Sequence, residues 1–127
     1  MLIPGFYTIE EFEVSENQVH AQIRLNPNHD VYKGHFPNQP VVPGVIQLQM
    51  IKELMEKALQ EKLLLKQMIF AKYLNVMLPG NNSDICVSID FKVHENQWKF
   101  SALIKDNTFV FTKVKGTLSV EIDKPAL

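Results

Sequence analysis

Apolar and polar positions along the chain fall into runs with two distinct periods. Val19, Ala21, Ile23 and Leu25 alternate with His20, Gln22 and Arg24, the period-2 pattern of a strand with one buried face. Ile85, Val87, Ile89, Phe91 and Val93 alternate with Cys86, Ser88, Asp90 and Lys92, the cleanest strand signal in the sequence. Residues 6–14, 67–78 and 98–104 are read as further strands, and a last one runs from Thr108 to about Ile122. In that last strand the apolar parity changes between Phe111 and Val114, which predicts a bulge. Asp84 and Asp90 fall on the polar side of the strand pattern.

Between about Val42 and Glu61 the period becomes helical. Leu48, Ile51, Leu54, Met55, Ala58 and Leu59 recur at spacings of three and four, giving one apolar face. Lys52, Glu53, Glu56, Lys57 and Gln60 fall largely on the opposite side. Pro43 sits near the first turn, where its missing N–H costs nothing. One helix cannot bury its apolar face alone, so the element order predicts an α+β fold with an antiparallel sheet wrapped around it.

The chain of 127 residues suits a single domain spanning 1–127. No repeat, low-complexity tract or linker-like shift divides it. A formal charge of −1 argues against nucleic acid, whose binders carry a basic face. Lys62, Lys66 and Lys72 form either a local patch for an acidic partner or a solvated helix end and loop. Cys86 is the single cysteine, which rules out an intrachain disulfide and a cysteine-built zinc cluster. No run approaches the ~20 apolar residues of a membrane span. The N-terminal residues lack the pattern of a secretory signal, so a cytoplasmic location and no membrane partner are expected.

The chemistry is concentrated in one segment, Gly34-His35-Phe36-Pro37-Asn38-Gln39-Pro40-Val41-Val42-Pro43-Gly44-Val45. It sets a histidine on a proline-stiffened loop just ahead of a helix start. Histidine titrates near neutrality and can take or give a proton. The free N–H groups at a helix start polarise a carbonyl as its charge develops, and glycine at 44 lets a substrate approach the backbone. On residue types alone, His35 is equally a hydrogen-bonded loop histidine and the prolines merely shape a turn. His20, His29 and His94 lie on strand or turn positions with no such context.

This segment resembles the signature G-H-F-P-x-x-P-V-x-P-G-V of the hotdog-fold 3-hydroxyacyl-acyl-carrier-protein dehydratases, matching every defined position. Phe70 to Gly80 resembles, more loosely, the family's strand ending in Pro-Gly. The resemblance implies the hotdog fold and dehydration of a 3-hydroxyacyl thioester to the trans-2-enoyl thioester in fatty-acid or polyketide-type biosynthesis. It makes His35 the base for the α-proton and the Gly44 N–H the donor to the thioester carbonyl, with Phe36, Pro43 and Val45 along the substrate's path. It implies no metal or redox cofactor, a substrate carried on the phosphopantetheine of acyl carrier protein, and a site shared between two chains in a homodimer or a heterodimer with a second hotdog subunit.

One position departs from the pattern. The family's helix carboxylate, fourteen residues after the histidine, is here Gln49. Glutamine donates and accepts hydrogen bonds but has no proton to give near neutral pH. Four readings of Gln49 are open. It orients the leaving hydroxyl while His35 carries the proton both ways; a partner subunit brings the carboxylate; the protein binds acyl chains or is a thioesterase, with Gln49 placing water; or Gln49 simply begins a polar stripe continued by Glu53, Glu56 and Gln60. Glu53 as a substitute acid stands one turn on, roughly 5–6 Å away, which is long for contact with a small leaving group.

Overall fold

The computed structural model describes residues 4–33, 40–80 and 84–121. These form strands β1 (Tyr7–Ser15) and β2 (Gln18–Leu25), a 3-10 turn at Asp30–Lys33, helix α1 (Gly44–Leu59), and strands β3 (Leu63–Tyr73), β4 (Ile85–His94), β5 (Gln97–Lys105) and β6 (Val110–Val120). The six strands make one sheet in the order β1-β2-β4-β5-β6-β3, with every neighbouring pair antiparallel. Helix α1 packs against β2, β3 and β4. This is the α+β hotdog architecture that the alternation and the resemblance imply.

The alternating positions bury as predicted except Val93, which is exposed near the end of β4. Val19, Ala21 and Ile23 of β2 and Ile85, Val87 and Ile89 of β4 meet Met50, Ile51, Leu54 and Met55 of the helix in the core. Asp84 and Asp90 are exposed. The parity change in β6 is a bulge: Ile104 pairs with Thr112 and Lys105 with Val110, leaving Phe111 as the extra residue. Among the described residues no helix is long and apolar enough to cross a membrane.

Three predicted features are corrected. First, β3 starts at Leu63 rather than 67 and stops at Tyr73 rather than 78. Its start is set by pairing, since Leu63 lies opposite Val120 and Glu121 donates its N–H to Lys62 O at 2.8 Å. It ends where the N–H groups of Leu74 and Asn75 both turn onto Phe111 O. Second, the helix is shorter than 42–61. It stops at Leu59 because Gln60 turns into the left-handed region (φ 54°, ψ 43°), a position where the usual glycine signal is missing.

Third, Glu53 does not lie on a solvated stripe. Its side chain is only 7% exposed and borders a pocket shared with Tyr7, Lys52, Glu56 and Lys57. Gln47 is also buried, and it stands at the helical spacing of the apolar face, four residues before Ile51 and seven before Leu54.

Candidate active site

The helix start is held from several directions. Pro43 is extended (φ −62°, ψ 148°) and caps α1 without a side-chain hydrogen bond. Its carbonyl accepts the N–H groups of Ile46 and Gln47, both at 3.1 Å. The Gly44 and Val45 N–H groups precede these and have no intrahelical acceptor, so they remain for a ligand at the positive end of the helix dipole. Val42 donates its N–H to Met77 O at 2.9 Å, stitching the approach loop to the segment after β3. Gln47 completes the anchoring: its Nε2 donates to Val42 O at 3.1 Å, and its Oε1 accepts the Thr112 hydroxyl of β6.

Tyr73, at the end of β3, lies directly on Gly44. A Cβ added at residue 44 would stand 2.6 Å from Tyr73 Cζ and 2.7 Å from its hydroxyl oxygen. A side chain at 44 would therefore have to push the Tyr73 ring aside. Partial burial pushes the Tyr73 phenol up from its ordinary value.

Further along the helix, Val45, Leu48, Gln49, Ile51, Leu65 and Phe100 border a cleft of about 230 Å³. Its walls are apolar apart from Gln49 and the neighbouring Lys52. Val45 is 72% exposed, an apolar residue presented to solvent at the mouth of the site.

Gln49 Nε2 donates to Glu53 Oε2 at 3.0 Å, and the Tyr7 hydroxyl donates to Glu53 Oε1 at 3.0 Å. The Tyr7 phenol is pushed far up, by burial first and then by the Glu53 charge and hydrogen bond. A carboxylate only accepts hydrogen bonds. The nitrogen side of the Gln49 carboxamide must therefore face Glu53.

Of the residues singled out from the sequence, Pro43, Gly44, Val45 and Gln49 are brought together at the start of α1. His35 and Phe36 lie outside the described residues. The other histidines sit elsewhere. His20 is on the sheet face turned away from the helix, with Nδ1 3.1 Å from Ser88 Oγ and Nε2 3.6 Å from Cys86 Sγ. His29 accepts the Val31 N–H at Nδ1, which leaves Nε2 to donate to Pro4 O at 2.9 Å. His94 is exposed.

Sequence reasoning missed Tyr7, Tyr73, Gln47 and Thr112. Gln47 had a signal, a glutamine at an apolar-face spacing. The two tyrosines and Thr112 had none, because each reaches the site from a different strand.

The sequence profile of the ApeI-like family, described as ApeI dehydratase, matches residues 11–114. The chain belongs to this dehydratase family. It is also 31% identical over 118 residues to the 3-hydroxyacyl-[acyl-carrier-protein] dehydratase FabZ of Rickettsia bellii (strain OSU 85-389), covering 86% of this chain and 81% of that one. It is 30% identical over 96 residues to FabZ of Pseudoalteromonas translucida (strain TAC 125), covering 68% of this chain and 63% of that one. Among solved structures, the dehydratase heterocomplex ApeI:P from Xenorhabdus doucetiae superposes with a TM-score of 0.71 at 19% identity, over 88% of this chain and 96% of that one. That likeness shows the fold. The chain carries Gly44 at the helix start and Gln49 beside the cleft.

Proposed function

We propose that this protein dehydrates a 3-hydroxyacyl thioester, presented on acyl carrier protein, to the trans-2-enoyl thioester. The observation that carries the reading is the helix start: the Gly44 N–H is left without an intrahelical acceptor, and Gln49 stands little more than one turn on, beside an apolar cleft. The names of the FabZ relatives, which specify a 3-hydroxyacyl carrier-protein substrate, support it.

In this reading the Gly44 N–H takes the thioester carbonyl and stabilises the enolate charge that develops on its oxygen. His35 removes the α-proton, the C3–O bond breaks, and the His35 imidazolium returns the proton to the departing oxygen on the same face, giving water. Gln49 orients that hydroxyl. The cleft beside Gln49, lined by Val45, Leu48 and Phe100, takes the start of the acyl chain, and Phe36 and Pro43 border the thioester's path. One proton moves and no electrons are exchanged, so the chemistry asks for no redox cofactor. A cytoplasmic location belongs to the same proposal.

The sheet edges point to a two-chain assembly. At the β1 edge Glu10, Glu11 and Glu13 are exposed and a register shift at Glu10 interrupts the ladder, both features that discourage pairing. The β3 edge is eleven residues long and exposes Leu64, Leu65, Met68 and Ile69. A second hotdog subunit, identical or different, pairs along β3 and closes the cleft at Leu65. The heterocomplex nature of the ApeI:P neighbour favours the search for a different subunit beside the homodimer.

The test is incubation of the purified protein with a panel of 3-hydroxyacyl carrier proteins, read by mass spectrometry. Loss of one water is expected, and His35→Ala is expected to lower turnover about 10²-fold or more with the fold retained. Release of free thiol would instead identify a thioesterase. Turnover unaltered in His35→Ala would remove His35 from the site.

A further inference from the structure

Building on the dehydratase reading, we propose that Glu53 is the positioning residue for Gln49. Its buried carboxylate, held by Tyr7, turns the Gln49 carboxamide so that its oxygen faces the 3-hydroxyl of the substrate. Three observations lead to this. Glu53 is only 7% exposed, a burial at which a carboxylate is costly without donors. Its two oxygens accept from groups on different elements, Tyr7 of β1 and Gln49 one helical turn earlier. Gln49 in turn borders the apolar cleft.

The orientation has a chemical consequence. With Nε2 committed to Glu53, Oε1 is the part of the carboxamide left to accept, and no donor among the described residues occupies it. A substrate hydroxyl that gives its hydrogen to Oε1 turns its lone pairs away from Gln49. Those lone pairs then receive the proton carried by His35, the C3–O bond breaks, and water leaves. Gln49 holds the hydroxyl in the attitude that one shuttling base requires, without itself donating a proton. Glu53 thus acts through the carboxamide and not on the substrate.

The clamp is read first in the wild-type protein, by two-dimensional NMR of the side-chain amides, with the Gln49 signals assigned by their loss in Gln49→Leu. The Gln49 amide protons are expected to exchange slowly with solvent and to resonate away from exposed glutamines. Signals and exchange like those of a surface glutamine would overturn the proposal, whatever the turnover.

The second arm compares Glu53→Met, which removes both acceptor oxygens at similar volume, with Glu53→Gln, which keeps one. In both, the Gln49 signals should move toward the free position. The turnover number should fall about tenfold or more in Glu53→Met and less in Glu53→Gln, with KM changed by under about threefold. Unmoved Gln49 signals in folded Glu53→Met, which leaves no acceptor, would sink the assignment. Should neither variant fold, the wild-type exchange measurement decides alone. A clamped amide in a protein that dehydrates nothing would uphold the geometry and refute the function, and a free amide in an active enzyme would do the reverse.

Discussion

The ring of Tyr73 lies across Gly44, close enough that a single added methyl group at 44 would meet Cζ at 2.6 Å and the hydroxyl oxygen at 2.7 Å. The end of β3 and the start of α1 thus share one small space, the same one into which the proposed mechanism brings the thioester carbonyl. Gly44→Ala is expected to fold, because Tyr73 is half exposed and its ring can swing aside. Alanine also restricts the unfolded chain, which offsets part of any loss. Turnover should nonetheless drop about 10²-fold, the cost of displacing a reacting group by roughly an ångström. Steady-state kinetics beside a thermal melt checks this. Full activity in Gly44→Ala would show that the carbonyl does not approach there.

Gln49→Glu places a second carboxyl where the carboxamide now donates to Glu53 at 3.0 Å. Two carboxyls at that separation cannot both ionise freely, so one is held protonated to higher pH. The variant thereby acquires a titratable acid beside the cleft. Dehydration is expected to rise by up to about 10²-fold, within the usual range for a placed acid. Stability carries the opposite mark. The raised carboxyl costs nothing below the ordinary glutamate value of about 4.3, and the cost grows as pH rises toward its folded value. Melts of variant and wild type should nearly coincide at about pH 4.5 and separate at pH 7. Parallel curves across that range would mean that the two carboxyls do not meet.

All three tyrosines of the chain have their phenols raised. Burial is the leading cause at Tyr7, Tyr32 and Tyr73, and Glu53 adds to it at Tyr7. A phenol raised in the folded state contributes stability that is fully present below its unfolded value, about 10, and that is lost as pH climbs through the folded value. Stability should therefore hold steady on this account to about pH 9.5 and decline above 10. In the native protein, tyrosinate absorbance should stay low at pH 10 and rise when denaturant is added. A smooth titration of all three centred near 10 with circular dichroism unchanged would contradict the buried positions of Tyr7 and Tyr32.

The two sheet edges make a matched pair for testing assembly. Ile69 on β3 is exposed, as is Val14 on β1, yet only the β3 edge presents a row of apolar neighbours. Ile69→Glu should weaken association at least tenfold, about 1.4 kcal/mol, and shift the protein toward monomer by light scattering after size exclusion. Val14→Glu should leave the assembly as it was. Dissociation by the Val14 variant and not by the Ile69 variant would assign the interface to the wrong edge.

Much of the fold was legible in the sequence because periodicity reports which side of an element faces the core. The alternation in β2 and β4, the three-and-four spacing in α1 and the parity change at Phe111 are properties of neighbouring residues, and each appears in the structure. The segment from Gly34 to Val45 marked the helix start in the same way, through prolines and glycines that restrict the backbone locally. The burial of Glu53 and its bonds to Tyr7 and Gln49, the bond from Thr112 to Gln47, and the Tyr73 ring on Gly44 were settled only in three dimensions. Tyr7 and Glu53 are 46 residues apart, and Thr112 and Gln47 are 65 apart. Contacts across such distances depend on strand order and register, and these follow from how the whole sheet closes on the helix rather than from any local pattern.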